Sequence, residues 1–264
     1  MPAEVIAVAN HKGGVGKSFT SVSMSAGLAQ AGWRTLLVDC DPQANATSMF
    51  DPEDDVEFDL YDVILGETPH DKVIRPTRVP GLELLPSTLA VARLDQELVT
   101  KHRREDQLRR HLAPVLDRYD AIVMDLSPNL GSLVITALCA ATSLVVPTDA
   151  SRWGRRGVAM FLEWAETLRT ADVLTADLLG VLLTKYEPNT RISREVFEDL
   201  KSSGVLMFET LIPKRTAAER MVADLAVIGD PSADGDLGKA YASFTVEVMG
   251  RVQALRTQRG KHRA

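Results

Sequence analysis

Seven short apolar runs, separated by longer amphipathic stretches, constrain the fold of this 264-residue chain more than any other feature. Most positions of these runs are apolar, which is typical of parallel strands that are covered on both faces. The runs are Val5–Ala9, Thr35–Val38, Leu82–Leu85, Ala121–Met124, Ser143–Val146, Leu178–Leu183 and Phe208–Ile212. Helices are predicted between them over Lys17–Ala31, Gln107–Leu116, Leu133–Ala141, Gly157–Arg169 and Arg194–Ser202. The alternation predicts an α/β fold, a three-layer, doubly wound and mainly parallel sheet.

The composition limits the class of protein. With 45% hydrophobic residues, the chain can bury one full core, whereas a net charge of −6 restricts any nucleic-acid contact to local basic patches. Cys40 and Cys139 each lie inside an apolar run, which is typical of buried thiols in a reducing cytoplasm. No window approaches the ~18 apolar residues that a membrane span needs. We predict a single cytoplasmic domain over residues 1–250 and a basic C-terminal tail over 251–264.

A glycine-rich loop, HKGGVGKS at residues 11–18, separates the first predicted strand from the first predicted helix. Its glycines can adopt backbone angles that turn several N–H groups onto a bound phosphate, and the helix aims its N-terminus at the same point. Lys17 offers a cation to the β- and γ-phosphates, and the Ser18 hydroxyl is a ligand for Mg²⁺. The loop therefore predicts a nucleoside triphosphate site.

The loop departs from the ordinary motif G-x-x-x-x-G-K-[ST], because His11 stands where its first glycine belongs, and it carries an extra cation, Lys12. Residues 12–18 instead match the pattern K-G-G-x-G-K-[ST] and so resemble the deviant Walker A ATPases. That resemblance implies that Lys12 reaches across a two-fold interface to the phosphates bound by the other subunit. A solvated surface lysine is the alternative. The resemblance also implies ATP contacts from Lys12, Gly13, Gly14, Val15, Gly16, Lys17, Ser18 and Phe19.

Two carboxylates, Asp39 and Asp41, follow the second predicted strand. The carboxyl ends of parallel strands are where an open α/β sheet places its ligands, and two like charges there favour a cation or an attacking water. Helix capping is the alternative, but it explains one aspartate and not two. Residues 39–47 resemble the first switch of the ParA branch, D-x-D-P-Q-x-N-A-T. The resemblance implies that Asp41 positions the hydrolytic water and that Asp39 supports Mg²⁺ or its water shell.

A third carboxylate, Asp125, ends the apolar run at residues 119–125, as expected of a Walker B element that holds Mg²⁺. Together with Asp125, residues 126–131 resemble the second switch of the family, D-x-P-P-x-L-G, with Ser127 in place of the first proline. The sequence shows no glutamine or arginine finger beside these carboxylates. Hydrolysis is therefore expected to be slow until a partner or a second subunit completes the site.

Two further strand ends are candidates for the base pocket. Thr184 and Lys185 end one predicted strand and Pro213 ends the last. The family resemblance implies that these strand ends flank the adenine. Ordinary strand termini are the alternative for each of them.

The resemblance to the ParA/Soj chromosome and plasmid partition ATPases extends from Val5 to about Arg251 and includes residues 59–66 and 81–87. It implies a homodimer with ATP, non-specific DNA binding in the nucleoid, and release when a ParB-type centromere-binding partner stimulates hydrolysis. The first strand begins near residue 4, so we expect no N-terminal helix-turn-helix. The alternative function is an ATPase of the same fold that positions another cargo, such as a septum, secretion or cellulose complex.

Non-specific DNA binding needs lysines and arginines against phosphates. Basic patches lie at residues 152–156, around residue 214, and in the tail at residues 256–263, and a solvated charged surface is the alternative for each. Relatives usually continue I-P-R-N-x-R-L-x-E-A, whereas this chain reads IPKRTAAERM, which shifts the predicted DNA contacts to Lys214, Arg215 and Arg220. The tail has almost no apolar face, so we expect no membrane insertion.

Overall fold

A computed structural model of the chain describes residues 2–50, 56–66, 68–214 and 235–262. Within these residues eight strands form one sheet. They are β1 (Glu4–Val8), β2 (Thr35–Cys40), β3 (Arg75–Pro76), β4 (Leu82–Leu85), β5 (Ala121–Leu126), β6 (Ser143–Asp149), β7 (Asp177–Tyr186) and β8 (Met207–Pro213). Their spatial order is β3-β4-β2-β5-β1-β6-β7-β8, and every neighbouring pair is parallel except β3 with β4.

Helices cover both faces of this sheet. They are α1 (Lys17–Gln30), α2 (Asn45–Ser48), α3 (Leu60–Leu65), α4 (His70–Val73), α5 (Leu94–Thr100), α6 (Gln107–Leu112), α7 (Ser132–Ala140), α8 (Arg152–Thr170), α9 (Arg191–Ser202) and α10 (Gly235–His262). Alternate residues of β1 belong to two separate buried clusters, Val5 and Ala7 to one, Ile6 and Val8 to the other. Successive apolar residues of a strand are therefore covered on opposite faces of the sheet. This arrangement confirms the predicted three-layer, doubly wound α/β fold.

The seven predicted strands are all present, and the differences from prediction lie elsewhere. The strand β3 was not predicted, since its two residues form only a short antiparallel edge with β4. The helix predicted over Gln107–Leu116 divides into α6 and a 3₁₀ turn at Ala113–Arg118, which has a proline at its start. A proline ring removes an N–H donor and crowds the preceding turn, so the α-helix ends there.

The C-terminal region differs most from the prediction. Residues 251–262 continue α10, so the boundary placed after residue 250 falls inside a helix. Phe244, Val248 and Val252 of this helix are fully buried against the sheet. The sequence signal was weak because the inward residues are diluted by many charged ones, and the helix begins beside residues 215–234, which lie outside the described part.

Strand order places the glycine loop at the centre of the sheet. After β1 the chain continues to β2 on one side, whereas β6, which also pairs with β1, leads to β7 on the other. The loop that follows β1 therefore lies at the point where the strand order reverses, which is where open α/β sheets bind ligands. The register brings Val8 and Asp39 level with Asp125 of β5, the strand between β1 and β2. This register gathers the predicted phosphate loop and the predicted metal ligands at one edge.

The C-terminal end of α10 contacts the sheet at the amino ends of its strands, opposite the glycine loop. Glu4, only 3% exposed, accepts hydrogen bonds from Thr142 Oγ1 at 2.7 Å and from Ser143 Oγ at 2.6 Å. The Arg259 guanidinium lies 3.0 Å from the same carboxylate and 2.8 Å from Asp177. A buried carboxylate needs this compensation, because desolvation disfavours its charge.

Within the described residues no helix combines the length and the apolarity that crossing a membrane requires. Cys40 and Cys139 are both buried free thiols, as their positions in apolar runs predict.

The buried anchor of α10 gives a prediction about stability. Arg259→Ala should lower the free energy of unfolding by about 2 kcal/mol, because the buried charge of Glu4 loses an ion-pair partner. The partial exposure of Arg259 limits the size of this loss. Urea unfolding followed by circular dichroism measures the change. Arg191→Ala, which removes a surface pair with Glu195, should change it little. Equal losses in the two variants would contradict the anchoring role of Arg259.

Candidate nucleotide site

The loop after β1 forms a cradle of backbone N–H groups. Gly14 and Gly16 have φ values of 75° and 85°, a region that side chains with a Cβ rarely adopt. Neither Gly13 nor Gly14 has a heavy atom within 4 Å of where a Cβ would stand, so open space lies beside the loop. Gly16 precedes the first turn of α1, whose leading N–H groups have no partner within the helix. The arrangement fits an anion with several oxygens.

Lys17 places a cation under this cradle. Its side chain is 6% exposed, and its Nζ donates to the backbone oxygen of Lys12 at 3.2 Å. Burial lowers the pKa of Lys17, while the charges of Asp125 and Asp41 oppose that shift. A desolvated ammonium gains from any further anion that reaches it, so the loop presents positive potential as well as free N–H groups.

Asp39 stabilises the turn that follows β2. One carboxylate oxygen accepts the backbone N–H of Asp41 at 3.0 Å, and the other accepts from the backbone and the hydroxyl of Thr47, each at 2.8 Å. The side chain is fully buried, and desolvation raises the pKa of Asp39 to about 6 despite these hydrogen bonds. Its oxygens thus hold residues 39–47 together, and its predicted support of Mg²⁺ would act from behind this turn.

Asp125 has an orphaned oxygen. Its Oδ1 accepts from Ser21 Oγ at 2.9 Å, whereas its buried Oδ2 has no hydrogen-bond partner among the described residues. Burial, and then the charge of Asp39, raise the pKa of Asp125 to about 7, although the hydroxyl groups of Ser18 and Ser21 oppose the shift. A buried carboxylate oxygen without a donor fits a hard divalent cation, and the nearby Ser18 hydroxyl is a second oxygen of the kind that Mg²⁺ prefers.

Asp41 lies at the same edge of the sheet and is 5% exposed. Its Oδ1 accepts the backbone N–H of Gln43 at 2.9 Å, and its backbone oxygen accepts Ser87 Oγ at 2.8 Å. The charge of Asp41 raises the pKa of Lys17, against the effect of burial. The structure thus gathers the predicted phosphate, metal and water-positioning residues at one site.

The three residues predicted for the base pocket occupy different surroundings. The Thr184 hydroxyl donates to the backbone oxygen of Val15 at 2.9 Å and lies 3.0 Å from that of Thr148, so it fixes the phosphate loop. Lys185 is exposed, with a φ of 52°. Pro213 lines an open cavity of about 450 Å³ between β8 and α10. Their contact with adenine stays a prediction.

Phe19 was also predicted to contact ATP. Its ring is half-buried and packs edge-on against Tyr241 of α10, with the centroids 5.2 Å apart. This contact joins the first turn of α1 to the C-terminal helix.

Lys12 makes contacts within its own chain. Its Nζ lies 2.7 Å and 2.8 Å from the two carboxylate oxygens of Asp149 and 3.2 Å from Ser151 Oγ. Asn10 supports the backbone here, because its Oδ1 accepts the N–H of Lys12 and its amide donates to the backbone oxygen of Pro147. The lysine is therefore anchored rather than freely solvated in this state.

The predicted DNA contacts are only partly described. Lys214 is exposed, and its Nζ lies 3.2 Å from Glu187, while Arg215 and Arg220 lie outside the described residues. Arg256 and Arg259 of the predicted tail both face Glu4. These two arginines are occupied by a buried carboxylate, so they are less available to phosphates than a free tail would be.

Three residues at the site were not predicted from the sequence. Asn10 links the loop to β6, Ser21 donates to Asp125, and Asp149 binds Lys12. Ser21 stands four positions after Lys17 and so one helical turn further along α1. Asp149 ends β6, and the strand-end argument that selected Asp39 could have selected it as well.

The raised pKa of Asp125 gives a prediction about how the stability of the protein depends on pH. In the unfolded chain a carboxyl ionises near pH 4, whereas Asp125 in the folded protein has a pKa of about 7. As the pH rises between these values the unfolded state loses its proton first, so the metal-free protein loses stability. Asp125→Asn cannot ionise, and its free energy of unfolding should exceed that of the wild type by about 1–2 kcal/mol at pH 8.

The same unfolding measurements should show a much smaller difference at pH 4.5. Asp71→Asn is a matched control, because this side chain is 81% exposed. A stability difference between wild type and Asp125→Asn that does not grow with pH would contradict this assignment.

Comparisons with known proteins place this geometry in a family. Residues 3–178 match a family model described as an AAA domain. The chain is 38% identical over 251 residues to the sporulation initiation inhibitor protein Soj of Bacillus subtilis, covering 93% of this chain and 98% of Soj. It is 30% identical over 258 residues to the chromosome partitioning protein ParA of Caulobacter vibrioides, covering 95% of each.

This chain is also similar to a solved structure. The crystal structure of cobyrinic acid a,c-diamide synthase from Mycobacterium smegmatis, with bound ATP analog and magnesium, is 32% identical, has a TM-score of 0.80 and covers 92% of each chain. Because the family model spans most of this chain and Soj aligns with nearly all of it, the chain belongs to the ParA/Soj-type partition ATPases of the AAA domain family.

Proposed function

We propose that this ATPase is an ATP-dependent dimerising switch that segregates chromosome or plasmid DNA. The ATP-bound dimer binds DNA of any sequence, and it is released when a ParB-type partner stimulates hydrolysis. The observation that carries the proposal is a second lysine, Lys12, beside a phosphate loop that already has its own buried lysine, Lys17. Lys17 would serve the nucleotide of its own subunit, and Lys12 would contact the nucleotide of a second copy.

The described residues fit ATP. The backbone of residues 13–18 and the first turn of α1 would hold the triphosphate, and Lys17 would exchange its contact with a backbone oxygen for one with phosphate. A charged hydrogen bond to phosphate is stronger than one to a neutral carbonyl. Thr184 would keep the loop in shape while this exchange occurs, since it bonds the backbone of Val15.

The residues also fit Mg²⁺. Ser18 and the orphaned Oδ2 of Asp125 would hold the cation, and Asp39 would support it from the adjacent strand. When bound, the cation neutralises negative charge on the phosphate oxygens. Ser21 would keep Asp125 oriented through its hydrogen bond to the other oxygen.

Asp41 would position the attacking water. Its side chain is held by the N–H of Gln43, and Ser87 anchors its backbone, so its orientation is set before substrate binds. Orientation of a water in this way costs little at the moment of reaction. Turnover is expected to be slow until a partner or a second subunit completes the site.

Binding to DNA would rest on the basic residues after β8. Lys214 is exposed at the end of that strand, and Arg215 and Arg220 follow it in sequence. Such contacts to phosphate read no base sequence, and they weaken steeply with salt because counterions are released. A net charge of −6 confines this contact to a patch.

The proposal is tested by DNA binding of the purified protein with ATP, with ADP and without nucleotide, across a salt series. Binding to unrelated duplexes should require ATP, fall with salt, and weaken at least tenfold (~1.4 kcal/mol) in Lys12→Ala. Lys72→Ala, which removes an exposed lysine of α4, is the matched control and should bind as the wild type does. Absence of DNA binding in every nucleotide state would favour an ATPase that positions another cargo.

The DNA surface has its own test. Replacing Lys214, Arg215 and Arg220 by glutamate should abolish DNA binding and leave ATP binding in place, because the phosphate loop is built from other residues. Arg191→Glu, at an 87% exposed side chain of α9, provides the control for charge alone. Unchanged DNA affinity in the triple variant would refute this surface.

A further inference from the structure

The Lys12 ammonium is fully partnered within its own subunit. An ammonium has three N–H donors, and three acceptor atoms surround this one: both carboxylate oxygens of Asp149, at 2.7 Å and 2.8 Å, and Ser151 Oγ at 3.2 Å. The side chains of Lys12 and Asp149 are 26% and 21% exposed. The pair is therefore shielded from water more than a surface ion pair, and its attraction is less screened.

The elements around this pair hold Asp149 in place. Asp149 ends β6, and its Oδ1 accepts from Ser151 Oγ at 2.9 Å, while Ser151 in turn accepts the N–H of Gly154 at 3.0 Å and so caps α8. A Cβ at Gly154 would lie 2.2 Å from Asp149 Oδ1, so only glycine leaves room for the carboxylate against the first turn of α8. The N-terminal end of a helix also favours a negative charge.

The stem of Lys12 lies along the same helix. A Cβ at Gly157 would be 3.7 Å from Lys12 Cβ and 3.8 Å from Lys12 Cδ, which is ordinary van der Waals contact. Both the charged end and the aliphatic stem of the lysine are thus seated between the phosphate loop and α8. Such a side chain cannot extend towards a second subunit without leaving these contacts.

We propose that Asp149 is a positioning residue that holds Lys12 within its own subunit and releases it when ATP brings a second subunit to the loop. This inference rests on the proposed function, in which Lys12 contacts the nucleotide of the partner. The ion pair favours the monomer, because its contacts exist only while the lysine stays in its own chain. Dimerisation therefore requires more ATP than it would if Lys12 were unpaired, since a ligand shifts an equilibrium only by its preference for one state.

The pair itself is tested without nucleotide. Asp149→Asn removes the charge and keeps the shape, and acylation of Lys12 by an N-hydroxysuccinimide ester, followed by peptide mass spectrometry, reports how free the amine is. Labelling of Lys12 should rise about fivefold in Asp149→Asn, relative to labelling of the exposed Lys72 in the same sample. Asp149→Ala provides a second variant that leaves the Ser151 cap in place.

The control variant is Asp199→Asn. It removes the ion pair that Asp199 of α9 makes with Arg155 of α8 at 3.1 Å, so it perturbs the same helix without touching Lys12. Labelling of Lys12 should not change in this variant. Unchanged labelling in both Asp149 variants, or an equal rise in Asp199→Asn, would overturn the proposed restraint.

The consequence for assembly is tested by sedimentation velocity with a slowly hydrolysed ATP analogue. The analogue concentration that gives half-maximal dimer should fall about fivefold in Asp149→Asn and stay unchanged in Asp199→Asn. A midpoint that is unchanged or higher in Asp149→Asn, with the wild type still dimerising, would overturn the inference and leave the proposed function intact. If the wild type never dimerises with the analogue, the proposed function fails, and the restraint on dimerisation fails with it.

Discussion

The pairing of β2 with β5 places two carboxylates, Asp39 and Asp125, level with each other inside the protein. Both side chains are fully buried, so desolvation raises the pKa of each, and the charge of Asp39 raises the pKa of Asp125 further. Asp39 satisfies its oxygens within its own turn, whereas Asp125 keeps one oxygen without a donor. The buried carboxylates therefore favour a cation beside them, and Lys17 supplies only part of that positive charge.

The phosphate loop has the opposite electrostatic preference. Its N–H groups and the start of α1 favour an anion, while the carboxylates favour a cation, and the two preferences meet at the same edge of the sheet. A metal-bound triphosphate satisfies both at once, because it carries charge of each sign. Two hydroxyl groups hold these parts in position, since Thr184 donates to the backbone of the loop and Ser21 donates to Asp125.

The two lysines of the loop differ in their surroundings rather than in their chemistry. Lys17 is buried in the site, and Lys12 lies at its margin, bonded to Asp149 and packed along α8. Because α8 begins directly after Asp149 and Ser151, any change at that helix start alters the environment of Lys12. The proposed restraint on dimerisation therefore depends on this one ion pair.

Local pattern predicted most of the architecture, and it selected candidate site residues that the fold brings to one edge of the sheet. Hydrophobic periodicity gives the seven predicted strands, and residue type at strand ends gives the glycine loop with Lys17 and Ser18 and the carboxylates Asp39 and Asp125. The length and packing of α10 did not follow, because its buried face is defined by what it packs against. The partner of Lys12 did not follow either, since Asp149 lies 137 positions away and reaches it only because β6 pairs with β1. Sequence determines which local structures form and which groups can bind phosphate or metal, whereas the tertiary fold alone decides which distant charges neutralise one another.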